Sequence, residues 1–249
     1  MKVFITGGTT GIGLALAKEY LESGHTVGIC GRDLSKLPAD FTNKYPALKS
    51  YAVDVTDREL VKKTVHDFAQ GELDLLIANA GRSVGSKTKK PDFDASRDVL
   101  NINIFGVLNS FEAALDIMLE KGKGHIVAVG SVAGMVGLPG ASSYSASKAA
   151  VIKLCESYSL DLKKWNIDVS CVCPGFIDTP LTRKNDHSMP WLMEADRAAK
   201  MIKKALESKK SLYVFPWQMR SVMFILERLP RFLYRKMMGM KFANYSKDI

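Results

Sequence analysis

The chain reads as an α/β protein: a single domain built on one doubly wound, parallel, seven-stranded sheet with helices on both faces. Three observations predict it. Short β-type runs alternate with apolar-periodic helical stretches almost without a break. The run "LDLLIAN" at 73–79 is nearly all apolar, as a parallel strand covered on both faces must be. Glycines crowd the turn between the first strand and the first helix.

Taken in order, "KVFIT" at 2–6 is the first strand, followed by "TGGTTGIG" and a helix from Ile12 to about Leu21. "TVGIC" at 26–30 and "LKSYAV" at 48–53 are the second and third strands, and a helix spans about 58–69. The apolar run at 73–79 is the fourth. A long helix covers about 95–120, and "GHIVAVG" at 124–130 is the fifth strand. "YSASK" at 144–148 lies in the helix after it. "IDVSCVC" at 167–173, stopped by Pro174-Gly175, is the sixth strand, and "SLYVF" at 211–215 is the seventh. Residues 1–216 make the main domain on this reading, and 217–249 form a C-terminal basic, amphipathic helical extension of the same domain.

A chain of 249 residues with 47% hydrophobic and 24% charged residues suits one large core. Cys30, Cys155, Cys171 and Cys173 show no metal-ligand spacing, and Cys171 and Cys173 share one strand face. They read as reduced, buried thiols of a cytoplasmic protein. The histidines are scattered, so no metal site is expected. The N-terminal apolar run is too short for a signal-peptide core and is needed as a strand. Asn244-Tyr245-Ser246 fits the glycosylation pattern by coincidence.

Gly7, Gly11 and Gly13 sit where a backbone without Cβ atoms can approach a pyrophosphate and a helix N-terminus can face its charge. Their spacing, G-x3-G-x-G, differs from the more common dinucleotide fingerprint. The second strand ends "CGRD": Gly31 leaves space and Arg32 offers a charged fork to a ribose 2′-phosphate, which favours NADP(H). Asp33 is within reach of a ribose hydroxyl, the NAD(H) alternative.

Seven motifs then occur in one order: "TGGTTGIG" at 6–13, "VDV" at 53–55, "NAG" at 79–81, "NINIFG" at 101–106, "GSVAG" at 130–134, "YSASK" at 144–148 and "PGFIDT" at 174–179. Together they resemble the short-chain dehydrogenase/reductase family in its single-domain Rossmann-fold branch, from Met1 to about Phe215. The resemblance implies a cofactor cradle of Gly7, Thr9, Thr10, Gly11, Ile12 and Gly13, with Arg32 at the ribose. Asp54 and Val55 would lie against the adenine, Asn79, Ala80 and Gly81 under the ribose, and Pro174, Gly175, Ile177 and Thr179 near the nicotinamide. It implies Tyr144 as acid/base, Lys148 on the nicotinamide ribose, Ser131 on the substrate oxygen and Asn103 holding a relay water. The chain departs from the family's habit at Gly130, where serine is frequent, and at Thr9 and Thr10, where NADP-preferring members often carry a basic residue.

The chemistry explains the residue types. Tyr144 and Lys148 are four apart and share a helix face, with only small side chains between them. A free phenol has a pKa of about 10. The neighbouring ammonium is expected to draw it toward neutrality, where acid/base catalysis is efficient.

Substrate choice is expected from the segment at about 180–195, read as a mobile lid, with Arg183 and Lys184 as ordinary exposed cations in preference to a site for an acidic substrate. Residues 217–242 carry Arg220, Arg228, Arg231, Arg235, Lys236 and Lys241 against Glu227, a net +5 of the chain's +9. Val222, Ile225, Leu226 and Leu229 recur at helical spacing there. This tail is expected to border the active-site entrance and meet an apolar substrate, with weak membrane association secondary. The expected partners are a small carbonyl or alcohol and a second or fourth copy of the chain (homodimer or homotetramer), not nucleic acid. A non-catalytic dinucleotide sensor and a membrane-surface reductase of lipophilic carbonyls are the alternative functions.

Overall fold

The computed structural model describes residues 1–84, 91–185 and 188–239. Lys241 and the Asn244-Tyr245-Ser246 tripeptide lie outside the described residues. β1 (Lys2–Thr6) turns into α1 (Gly11–Glu22), and β2 (Thr26–Gly31), the short α2 (Phe41–Lys44), β3 (Leu48–Ala52) and α3 (Arg58–Ala69) follow. β4 (Leu75–Ala78) leads to α4 (Phe93–Leu100), a π-helical turn (Asn101–Phe105) and α5 (Gly106–Lys121). Next come β5 (Gly124–Val129), α6 (Ser142–Asp161), β6 (Ile167–Pro174), β7 (Ile177–Asp178), β8 (Met193–Glu194), α7 (Ala195–Glu207), β9 (Leu212–Phe215), α8 (Trp217–Arg228) and α9 (Arg231–Met238).

The sequence explains the element ends. Asp57 and Asp92 cap α3 and α4 by accepting from the backbone N–H of Leu60 and Ala95. Gly122, at φ +64°, ends α5 in a left-handed conformation that an L side chain rarely adopts.

The main sheet has the order β3-β2-β1-β4-β5-β6-β9, every pair parallel. Alternate strand residues feed two cores. Phe4, Leu76, Ile126 and Val169 pack with Phe68 of α3, Phe111 of α5 and Val151 of α6. Val3, Ile5, Ile77 and Val127 pack with Leu16 and Tyr20 of α1 and Ile202 of α7 on the opposite face. Chain order reverses between β1 and β4, so a crevice opens beyond their C-terminal ends.

Three features differ from expectation. The long helix at 95–120 runs from Phe93 to Lys121 with one extra residue folded into a π turn around Asn103, which no apolar period signals. By length and composition this stretch is apolar enough to cross a membrane, yet half of it is buried in the protein, packed on α3, β4 and α6. Second, β7 and β8, two residues each, pair in parallel and tie the base of the segment between them. Third, α7 has no counterpart in the expectations, although Ala198, Ala199, Ile202 and Leu206 mark its inward stripe.

Candidate active site

The crevice at the strand reversal is a cleft of about 280 Å³. Every expected cofactor residue lines it except Gly13, and so do Ser131, Tyr144 and Lys148. Gly13 and Asn103 stand behind the wall. A Cβ on Gly13 would lie 2.3 Å from the Gly7 carbonyl oxygen, so its glycine serves the packing of α1 on the loop.

The glycine loop is built for close approach. Gly7 and Gly11 adopt φ +65° and +56°, and a Cβ on Gly7 would meet the Ala80 Cα at 2.7 Å. The Thr6 hydroxyl accepts the N–H groups of Asn79 and Ala80, at 3.1 and 3.2 Å. The Asn79 amide returns hydrogen bonds to the carbonyls of Thr6 and Gly7, both at 3.0 Å. This lacing fixes the loop after β1 against the loop after β4. No side chain caps the N-terminus of α1, and no acid lies in its first turn. An anion on the loop therefore meets open N–H groups.

Beyond β2 the space beside Gly31 is taken up by the protein: a Cβ there would lie 2.9 Å from Thr9 Cγ2. Thr9, where a basic residue was absent, is thus a buried packing residue. Arg32 faces the cleft, and Lys36, which sequence reasoning missed, lines it as well. The cation reaches the site because a 3-10 turn at Leu34–Lys36 folds it back. Asp33 builds that turn. Its carboxylate accepts from the Ser35 backbone N–H at 3.0 Å and the Ser35 hydroxyl at 2.6 Å, and lies 3.4 Å from Lys36 Nζ. Those Ser35 bonds, with Lys36 beside them, hold the carboxyl below its ordinary range. Asp54 is similarly engaged, by the N–H and hydroxyl of Thr56.

At the end of β5 the Ser131 oxygen accepts the Ala133 N–H at 3.1 Å, which leaves its own proton to give. Lys148 is buried, and its Nζ donates to the Val129 carbonyl at 2.7 Å. It lies 5.8 Å from the centre of the Tyr144 ring and beneath Gly81, where a Cβ would be 3.6 Å away. Burial lowers the Lys148 pKa to about 8. The expectation that Lys148 pulls the Tyr144 phenol down does not hold for the protein alone. Burial raises the phenol above its ordinary value, and the Ser131 side chain opposes that shift.

Asn103 is fully buried at the π turn. Its Oδ1 accepts the Arg82 N–H at 2.8 Å, and its Nδ2 donates to the Arg82 carbonyl at 3.0 Å and the Ser147 hydroxyl at 2.9 Å. It joins the loop after β4 to the helix that carries Tyr144. Both amide hydrogens are committed, leaving one lone pair of Oδ1 for the relay water the resemblance implies.

Gly130 also finds its reason. A Cβ there would lie 2.9 Å from Cys173 Sγ and 3.0 Å from Cys171 Sγ. The two buried thiols occupy the room a serine side chain would need.

At the far rim, Arg183 is not a free cation: it grips Asp178 through Nε and Nη2 at 2.6 and 3.1 Å. With the β7–β8 pair this ties down the start of the expected lid. Residues 186–187 of that segment lie outside the described residues. On the other rim, Val132 and Val136 pack against Met219 and Met223 of α8 and Tyr234 of α9, and the Tyr234 hydroxyl donates to the Gly137 carbonyl. A Cβ on Gly175, in the cleft wall, would lie 3.1 Å from Met219 Cγ.

Comparison with known proteins agrees with this fold. The family model for short chain dehydrogenases matches residues 1–190. An uncharacterized oxidoreductase of Myxococcus xanthus is 33% identical over 235 residues, 92% of this chain and 93% of its own length. A 3-oxoacyl-[acyl-carrier-protein] reductase of Thermotoga maritima is 36% identical over 188 residues, 72% of this chain and 75% of that protein. A crystal structure of a short-chain dehydrogenase from Burkholderia cenocepacia J2315 in complex with NADP matches with a TM-score of 0.84 at 26% identity, over 96% of this chain and 98% of that one. By motif order, strand order and the match across residues 1–190, the chain belongs to the short-chain dehydrogenase family and is an NAD(P)-dependent oxidoreductase.

Proposed function

We propose that the protein is an NADP(H)-dependent reductase of carbonyl compounds in which Tyr144 is the proton donor. The observation that carries this is the meeting of Ser131, Tyr144 and Lys148 in one cleft with the glycine loop and with Arg32 and Lys36. The residues present fit the dinucleotide. The loop glycines leave a cradle that a Cβ would fill, α1 presents uncapped N–H groups, and two cations stand where β2 ends. Asp33 is spent on its own turn, which favours a 2′-phosphate over a free ribose hydroxyl. The NADP and NADPH complexes among the related structures support the same choice.

When bound, the nicotinamide supplies hydride transfer to or from the carbonyl carbon. Ser131 donates its hydroxyl proton to the substrate oxygen, where charge develops. Tyr144, whose phenol burial holds above its ordinary pKa, gives its proton to that oxygen in the reducing direction. Lys148 keeps two N–H groups beyond its bond to Val129, enough for the ribose hydroxyls. Asn103 acts through Ser147 and the Arg82 backbone, and its remaining lone pair holds the relay water. Residues 1–216 carry this chemistry in the cytoplasm, and 217–249 extend them.

Val132, Val136, Met219 and Met223 form an apolar cluster that backs the cleft behind Gly175. The similarity to a 3-oxoacyl-[acyl-carrier-protein] reductase makes 3-oxoacyl thioesters the first class to try. NADPH consumption against 3-oxoacyl thioesters, aldehydes and ketones of increasing chain length tests the reading. Turnover rising with chain length is expected; absence of turnover across all three classes would count against it.

A further inference from the structure

We propose that α8 and α9 dock the protein on an anionic lipid surface through their outward faces. The two helices are amphipathic in an unusual sense. Their inward positions, Met219, Met223 and Tyr234, with Leu226, Leu229 and Met238, are already satisfied by the loop after Ser131. The opposite side of each helix ought then to be polar. It is not. Trp217 and, two turns on, Phe224 and Ile225 lie on the outer side of α8 and are 71%, 53% and 59% exposed, and Phe232 of α9 is 71% exposed. Leu233 and Val222 add to the patch.

Cations frame this apolar strip. Arg220, Arg228, Arg231, Arg235 and Lys236 are all exposed, and Glu227 is the one acid in the two helices. The Arg228 guanidinium lies over the Phe224 ring, 3.5 Å from its centre. Aromatic and aliphatic side chains among exposed Arg and Lys are the composition of an interfacial helix. A second copy of the chain is the poorer occupant, because a self-complementary contact would set five cations against five. An anionic bilayer matches both the charge and the apolar strip, with each cation near the surface adding to the attraction. At 12 and 8 residues the helices are too short to span a hydrocarbon core of about 30 Å, so they lie in its interface. The family model matches residues 1–190, so this surface lies outside the stretch it covers.

The inner face of α8 backs the cleft wall at Gly175, so docking would bring the site near the membrane from which an apolar carbonyl arrives. That consequence rests on the catalytic reading; the docking itself does not, and its test has no turnover in it. The full chain is sedimented with vesicles of phosphatidylcholine alone and of phosphatidylcholine with about a third phosphatidylglycerol, at about 0.1 and 0.5 M salt. Binding to the anionic vesicles only, weakened at least about tenfold by the higher salt, is expected. The variants Trp217→Ser/Phe224→Ser/Phe232→Ser and Arg231→Glu/Arg235→Glu/Lys236→Glu should each lower binding at least about tenfold while circular dichroism and NADPH-induced fluorescence stay those of the parent. No binding to the anionic vesicles, equal binding to neutral ones, or binding that survives both sets of substitutions would overturn the proposal. So would a fall in oligomer mass in the aromatic variant, or capture by an acidic polypeptide such as polyglutamate in place of vesicles.

Discussion

At the scale of single residues, the site balances charge against burial. Lys148 is held almost without solvent, and its pKa of about 8 lies below the value of about 10.5 it has in an unfolded chain. Between these values the unfolded state binds more protons, so this group's penalty is present at neutral pH and is relieved as pH rises from about 8 to 10.5. Lys148→Met should therefore raise stability by about 1–2 kcal/mol at pH 7, after allowing for the lost bond to Val129, and abolish turnover. Thermal melts across pH check it: the gap between variant and parent should close above pH 8. A second prediction concerns the cations. Arg32→Ala and Lys36→Ala should each weaken NADPH by about tenfold or more and leave NADH nearly unchanged, by fluorescence titration. Arg32 was legible because it ends a strand. Lys36 was not, because it reaches the cleft only through the turn that Asp33 and Ser35 build, and a turn's return direction is not written in spacing. The phenol misled for a related reason: spacing gives the Tyr144–Lys148 neighbourhood, but the sign of the shift depends on how much water the fold excludes.

Among the elements, all seven strands of the main sheet were readable, because most are apolar runs bounded by polar or turn residues. The two-residue pair β7–β8 was not, since two residues carry no period. The π turn escaped for a different reason. Asn103 earns its place through bonds to Arg82 and Ser147, contacts distant in sequence that only the packed helices create. Strand β5 also carries a pH-sensitive contact. His125, hydrogen-bonded to Ser170 at 2.8 Å, has its pKa lowered by burial to about 4, against an ordinary 6.5. Between those values the unfolded chain holds the extra proton, so stability should fall by about 2–3 kcal/mol as pH drops from 6.5 to 4. Denaturant midpoints across that range should show the loss in the parent, and His125→Gln should flatten it.

The whole molecule is organised around the strand reversal: on the proposed reading one edge of the crevice holds the dinucleotide and the other the proton donor, backed by the apolar cluster under α8. Assembly follows the same logic. Phe105 at the π turn and Leu160 on α6 are 57% and 75% exposed, leaving apolar surface on both elements. A homodimer or homotetramer is expected, and light scattering at micromolar concentration should give a mass of two or four chains rather than one. The central claim, that this cleft reduces a carbonyl with a proton from Tyr144, is tested most directly by Tyr144→Phe. The variant removes one hydroxyl that acts in the transition state and touches no feature of the cradle. NADPH binding and NADPH consumption are measured together for parent and variant, with the carbonyl substrate that gives the parent its fastest turnover. The account predicts unchanged NADPH affinity and a fall in kcat of at least about a hundredfold. A variant that binds NADPH like the parent and keeps most of its kcat would contradict it.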